Sequence, residues 1–175
     1  MIEYKIATST QEFEQIHSLN YATFVEEIPQ HDHNEAQKLI DRFDHQNLYV
    51  IALNEKDELI GMVCIREERP FSLDQKVNNL DALLPPNKKM CEIRLLAVRP
   101  DYRKKGVFKG LMHKLYEISI PKGYEIALIS GTDRQLELYK HIGFRTFSEP
   151  VGTPEALFYP MYLSVDTIIT NPLFV

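Results

Sequence analysis

The sequence predicts a single α+β domain. Three observations carry this. Helix-like and strand-like patterns follow one another along the whole chain, and no flexible linker or internal repeat separates them. The 175 residues suffice for one domain and are short for two. The composition is that of a folded protein, with 44% hydrophobic, 26% charged and 10% aromatic residues. That excludes disordered, collagen-like and low-complexity chains. We read residues 1–163 as the core of this domain and 164–175 as a C-terminal tail.

Each element has its own signature. Ile2, Tyr4 and Ile6 alternate with polar residues, as in a short strand. Ser9 with Glu12 is a capping-box pair; it opens a helix that carries Phe13, Ile16 and Leu19 on one face and runs towards Phe24. Pro29 to His33 breaks the pattern. Glu35 to Phe43 predicts a second helix, with Leu39 and Ile40 turned inward. Leu48–Leu53 and Leu59–Ile65 are apolar runs joined by Asn54–Glu58, the pattern of a β-hairpin. Residues 66–90, with Pro70, Pro85 and Pro86, read as a charged excursion over the surface that holds a short helix within Leu73–Leu84. Glu92–Val98 is almost continuously apolar, as a central strand would be, and Arg99-Pro100 ends it. Gly106–Ile118 predicts a helix and Tyr124–Ile129 a buried strand. Arg134–Ile142 predicts a helix closed by Gly143, a natural left-handed cap. Phe144–Phe147 and Leu157–Leu163 are the last strands.

Charge and composition narrow the function classes. No apolar run approaches the roughly 18–20 residues of a membrane span, and the N-terminus lacks a secretory layout. Cys64 and Cys91 make no disulfide framework, so a cytoplasmic, reducing setting is expected. The net charge of −5 argues against nucleic-acid binding. It is unevenly spread: residues 1–68 carry 14 acids and 5 bases, residues 69–175 carry 11 acids and 15 bases. Arg99, Arg103, Lys104, Lys105 and Lys109 stand close together against one acid, Asp101. Such a knot in an acidic chain suits a small anion, or is simply a solvated helix start.

Its setting favours the anion. The knot lies between a strand and a helix, where unpaired N–H groups and the dipole attract phosphate. Gly106 lets backbone approach closely. The spacing is neither a Walker-A loop nor a dinucleotide fingerprint.

Three segments in order resemble the GNAT superfamily of N-acyltransferases. Glu92-Ile93-Arg94-Leu95-Leu96-Ala97-Val98-Arg99-Pro100 is similar to its central strand. Arg103-Lys104-Lys105-Gly106-Val107-Phe108 is similar to its pyrophosphate loop, Q/R-x-x-G-x-G/A. Leu138-Tyr139-Lys140-His141-Ile142-Gly143-Phe144 is similar to its late helix, L-Y-x-x-x-G-F. Phe108 departs from the family's Gly or Ala, and Thr132 stands where Asn is frequent. The resemblance implies a GNAT fold: a mixed, mostly antiparallel sheet of six to seven strands flanked by helices and splayed between the two central strands. It implies acetyl-CoA or another acyl-CoA as co-substrate, no metal, and a small-molecule amine as acceptor.

The same resemblance implies roles. Leu96, Ala97 and Val98 would hold pantetheine and the thioester, and Arg103, Lys104, Lys105, Gly106, Val107 and Phe108 the pyrophosphate. Tyr139 would protonate the departing sulfur, as a phenol of pKa near 10 can; the alternative is a core tyrosine. Glu92 would be a base acting on the amine, or else a salt-bridge partner of Arg94. Cys91 is better read as a packed thiol than as a nucleophile, His31-Asp32-His33 as a polar loop rather than a metal site, and His113 and His141 as incidental.

A narrower resemblance runs through the first half. Tyr21-Ala22-Thr23-Phe24-Val25-Glu26-Glu27 followed by Asp41-Arg42-Phe43-Asp44 resembles the autoinducer and N-acyl amino acid synthases, which share the fold and carry R-x-x-x-F and D-x-F/Y-D. Asn20 stands where their Arg belongs, the chain has no Trp, and Asp41 and Asp44 also fit a solvated helix end. Three functions therefore compete: an N-acetyltransferase acting on a small primary amine, a long-chain N-acyl synthase using acyl-CoA or acyl carrier protein and needing a deep apolar tunnel, and a non-catalytic acyl-CoA-binding module. The tail, with Ile168, Ile169, Leu173 and Phe174, is apolar enough to pack on the domain or on a second copy in a homodimer.

Overall fold

The computed structural model describes residues 1–168 and 171. The chain forms two compact units, Met1–Ile65 with Leu95–Tyr116, and Arg66–Arg94 with the residues from Glu117 on. The strands are β1 (Glu3–Ile6), β2 (Asn47–Leu53), β3 (Leu59–Arg66), β4 (Met90–Val98), β5 (Ile126–Thr132), β6 (Arg145–Thr146), β7 (Val151–Thr153) and β8 (Ala156–Ser164). They follow the order β1-β2-β3-β4-β5-β8-β6, with β7 against β8. The helices are α1 (Thr10–Tyr21), α2 (Val107–Lys122), α3 (Leu136–Ile142) and a short α4 (Val165–Ile168). This is the mixed, mostly antiparallel α+β architecture of the GNAT fold, with one strand more than the sequence suggests.

The first unit is built on α1 and the β2–β3 hairpin. Ser9 Oγ accepts from Glu12 N at 3.2 Å, and Glu12 Oε2 accepts from Ser9 N at 2.9 Å and Thr8 N at 2.7 Å. The capping box thus starts α1 where expected. The helix does not stop at Tyr21 but widens into a π-helical turn, Ala22–Glu27. Asn54 closes the hairpin, its side-chain oxygen accepting from Lys56 N and Glu58 N. Ile16, Leu19, Tyr49, Ile51, Met62 and Ala97 share one buried cluster.

The expected helix over Glu35–Phe43 is absent. Asn34 instead organises a local turn, donating to Lys38 O and accepting from Lys38 N, while Gln37 takes a φ of 50°. Such side-chain bonding competes with helix formation, and two apolar residues do not repay the cost of nucleation. Leu39 is half-buried and Ile40 is 60% exposed, so neither is the inward anchor expected.

The second unit corrects another expectation. Residues 66–90 are not a surface excursion: Phe71, Leu73, Val77, Leu80 and Leu84 are buried against Ile126 and Leu128. Two 3₁₀ turns, Ser72–Gln75 and Leu80–Leu83, replace the single helix. In the sequence, prolines and charges interrupt the apolar spacing of these five residues and hide the core they form. β4 and β5 pair in parallel from Met90↔Ile126 to Glu92↔Leu128, a connection that requires a long crossover such as α2. α3 ends at Gly143 with φ 114°, the left-handed cap expected. In the tail, Ile168 closes α4, whereas Ile169, Leu173 and Phe174 lie outside the described residues.

Candidate functional site

β4 leads directly into the basic loop. Leu95 takes a φ of 54° within the strand, an uncommon conformation for a branched residue that re-aims the backbone ahead of Leu96–Val98. Ala97 is buried in the core, while Leu96 and Val98 are half-buried. Pro100–Tyr102 makes a 3₁₀ turn, Gly106 has φ 77°, and Val107 is fully buried at the start of α2. The buried Val107 anchors the helix while Lys104, Lys105 and Gly106 remain exposed. Phe108 is half-buried on the first turn.

Arg103 differs from its expected role. Its Nε donates to Val98 O at 2.9 Å, and Nη1 donates to Glu27 Oε1 at 2.7 Å, with Nη2 on the other carboxylate oxygen. A forked guanidinium–carboxylate pair is strong and directional. Arg103 therefore ties the π-helical turn to the loop, and it engages the Val98 carbonyl assigned to the pantetheine. Arg99 pairs with Asp101 at 2.9 Å and Glu58 at 3.8 Å. Lys105 lies 4.5 Å over the Tyr102 ring.

In the second unit, Glu92 is fully buried. Its carboxylate accepts from Ser72 N at 2.8 Å, Ser72 Oγ at 2.6 Å and Leu73 N at 3.1 Å, with Arg94 Nε at 3.6 Å. Both oxygens are committed, so Glu92 would have to shed these bonds to take a proton from an amine. Tyr139 is half-buried on α3 and donates to Gln135 Oε1 at 2.8 Å. Its ring meets Phe144 edge-on, with centroids 6.0 Å apart. Burial pushes its phenol up to about 12, so it holds its proton at neutral pH. Burial likewise pushes the Cys91 thiol up to about 12, with Glu67 and Glu92 adding to it. That is the behaviour of a packed thiol, not a nucleophile. Thr132 ends β5, and its Oγ1 is buried with no hydrogen-bond partner.

Asp41 and Asp44 are not a solvated helix end. Asp44 is 8% exposed; its Oδ1 accepts from Tyr49 OH at 2.8 Å and lies 3.1 Å from His17 Nε2. Asp41 Oδ2 accepts from Phe43 N at 3.0 Å and Asn47 Nδ2 at 2.8 Å, and Asn47 also reaches Tyr49 OH. Burial holds the Tyr49 phenol far above its usual range. The aspartate pattern alone pointed here; nothing in the spacing of His17, Asn47 and Tyr49 joined them to it. His33 Nδ1 lies 3.0 Å from Tyr21 OH. His113 and His141 are exposed on α2 and α3.

A cleft of about 450 Å³ lies in the second unit, lined by Glu67, Phe71, Asp81, Pro86, Lys88 and Met90 among others. Its charged rim is not that of an apolar acyl tunnel. Among the described residues no helix is long and apolar enough to cross a membrane.

The family model for the N-acyl amino acid synthase FeeM matches residues 15–165. No curated protein matches. The solved structure of BjaI, a CoA-dependent acyl-homoserine lactone synthase bound to SAM and isopentyl-CoA, is similar with a TM-score of 0.77 at 18% identity, covering 97% of this chain and 86% of that one. FeeM from uncultured soil microbes also has a TM-score of 0.77, at 12% identity, covering 98% of this chain and 94% of its own. An acetyltransferase-like protein from Lactobacillus plantarum has a TM-score of 0.67 at 18% identity, covering 94% and 98%.

Proposed function

The chain belongs to the N-acyl amino acid synthase FeeM family of N-acyltransferases, and from that premise we propose that it moves an acyl chain from acyl-CoA to the α-amine of a small, amino-acid-like substrate. This reverses the order of the two enzymatic readings: the long-chain synthase now precedes the N-acetyltransferase. The carrying observation is the family match over residues 15–165, which takes in the aspartate network, β4, the basic loop and Tyr139 together. The acidic first half of the sequence suits a cationic amine.

The chemistry assigns these parts distinct tasks. Lys104, Lys105 and the first N–H groups of α2 hold the pyrophosphate, and the backbone of Leu96, Ala97 and Val98 orients the pantetheine arm. The neutral amine nitrogen attacks the thioester carbonyl. A C–N bond forms, the C–S bond breaks, and the thiolate takes the Tyr139 phenolic proton. The proton lost by the amine restores the phenol through solvent. The Tyr139 hydroxyl must turn from Gln135 to do this. Glu92 acts as a positioning residue that anchors the Ser72 turn to β4.

The test is release of free CoA thiol from acyl-CoAs of graded chain length, with a panel of amino acids and simple amines, and mass detection of the amide. The expected result is turnover with a medium or long acyl chain and an amino acid. Absence of thiol release across the whole panel would overturn the reading; turnover confined to acetyl-CoA would restore the N-acetyltransferase.

A further inference from the structure

The basic loop does not present all of its charge to a ligand. Lys104, Lys105 and Lys109 are exposed, whereas the guanidinium fork of Arg103 is already filled. Its Nη1 donates to Glu27 Oε1 at 2.7 Å, Nη2 donates to Glu27 Oε2, and Nε donates to Val98 O at 2.9 Å. Glu27 comes from 76 residues earlier and is the last residue of the π-helical turn Ala22–Glu27. A carboxylate and a phosphate offer the same pair of oxygens to a guanidinium. Glu27 therefore holds Arg103 as an oxyanion ligand would, one residue from Lys104 and Lys105, the side chains assigned to the pyrophosphate.

The pair is suited to exchange. Its side chains are 38% and 24% exposed, so an incoming anion can reach both and water screens their attraction. Pairs of this kind add little net stability. A pyrophosphate carries more negative charge than one carboxylate and meets the neighbouring lysines at the same time. The turn that Glu27 ends is itself unusual. Ile28 N donates to Thr23 O at 2.9 Å across the wide π spacing, and π turns are uncommon and concentrate at functional sites. Thr23 and Val25 hold the turn in the core, while Glu26, beside Glu27, is exposed.

We infer that Glu27 is an internal competitor for the phosphate site: the pyrophosphate of CoA displaces its carboxylate from Arg103, and the π-helical turn then loses this tie to the loop. Opening the clasp subtracts from the affinity for every CoA species. The reverse exchange favours departure of spent CoA, because Glu27 refills the fork as the phosphates leave. Glu27 acts on the donor through Arg103, so it is a positioning residue. The inference rests on acyl-CoA as the donor and adds a coupling between the donor and the π-helical turn.

The experiment is calorimetric titration of CoA onto wild type, Glu27→Gln, Arg103→Ala and the double variant. Glu26→Gln is the control, since it removes the same charge one residue away. Glu27→Gln should bind CoA about fivefold more tightly than wild type, and Glu26→Gln should stay within about twofold. With Arg103→Ala already present, adding Glu27→Gln should change the affinity by less than about twofold. Equal gains in Glu26→Gln and Glu27→Gln, or a gain that persists without Arg103, would reduce the effect to general charge and overturn the inference. The second measurement needs no variant: saturating CoA should speed amide hydrogen exchange over residues 22–28 of the wild type severalfold. Unchanged or slowed exchange there overturns the inference. CoA that binds wild type and Glu27→Gln alike overturns the inference alone, while CoA that binds none of the proteins overturns the acyl-CoA reading with it. Coupling found without thiol release leaves the inference standing, and the acyltransferase reading fails.

Discussion

Tyr139 and Glu92 show how burial sorts ionisable groups that look equivalent in sequence. The Tyr139 phenol, raised to about 12 by burial, remains a proton donor over the whole neutral range. Tyr139→Phe should lower kcat about 100-fold, the scale of a lost general acid, while acyl-CoA affinity measured by titration stays within about twofold. The same shift has a stability consequence. The raised phenol contributes stability that is intact below pH 10 and is lost as pH rises through about 12. Tyr139→Phe should therefore flatten alkaline unfolding over that window. Glu92 predicts differently. Its four partners make it a keystone of the Ser72 turn, so Glu92→Gln should lose about 3 kcal/mol in urea unfolding. A variant of unchanged stability but abolished kcat would identify Glu92 as the base after all.

At the scale of elements, the start of α1 and the basic loop carry the clearest expectations. Burial alone would raise the Glu12 carboxyl, but hydrogen bonds from Lys5 and from the N–H groups of Thr8 and Ser9 outweigh it and hold it at about 2. A lowered carboxyl stabilises above its ordinary value of 4.5 and stops doing so as pH falls towards 2. With the exposed side of the Lys5 pair screened by solvent, the loss is about 1–2 kcal/mol. Acid unfolding of Glu12→Gln, compared with wild type, measures it. In the loop, Lys104→Ala with Lys105→Ala should weaken CoA binding about tenfold at low salt and less at high salt. Arg103→Ala should lower Tm as well, because it also cuts the clasp to Glu27. Unchanged CoA affinity in the double variant would place the phosphates elsewhere.

These elements were unequally legible. The Ser9–Glu12 box, the Asn54 hairpin and the Gly143 cap stood out because each is settled by neighbours within a few residues. Glu35–Phe43 misled because a helical pattern with two apolar residues is outweighed by the Asn34 turn. The 66–90 segment misled because its prolines and charges concealed five residues that build a core with β5.

For the molecule as a whole, the family match turns an open choice between acetyl and longer acyl groups into an ordered pair of readings. The thiol-release panel decides between them. What the sequence determined by itself is whatever is encoded locally: the α+β class, the order of elements, the caps, the basic loop and the tyrosine of the late helix. What only the tertiary structure decided is the partnership of distant side chains. Glu92 meets Ser72 across 20 residues, His17 meets Asp44 across 27, and Arg103 meets Glu27 across 76. Periodicity and capping arise from neighbours one or two turns apart, so they leave a trace in sequence. A buried carboxylate and its donors are brought together by packing, and no regular spacing records which residues will meet.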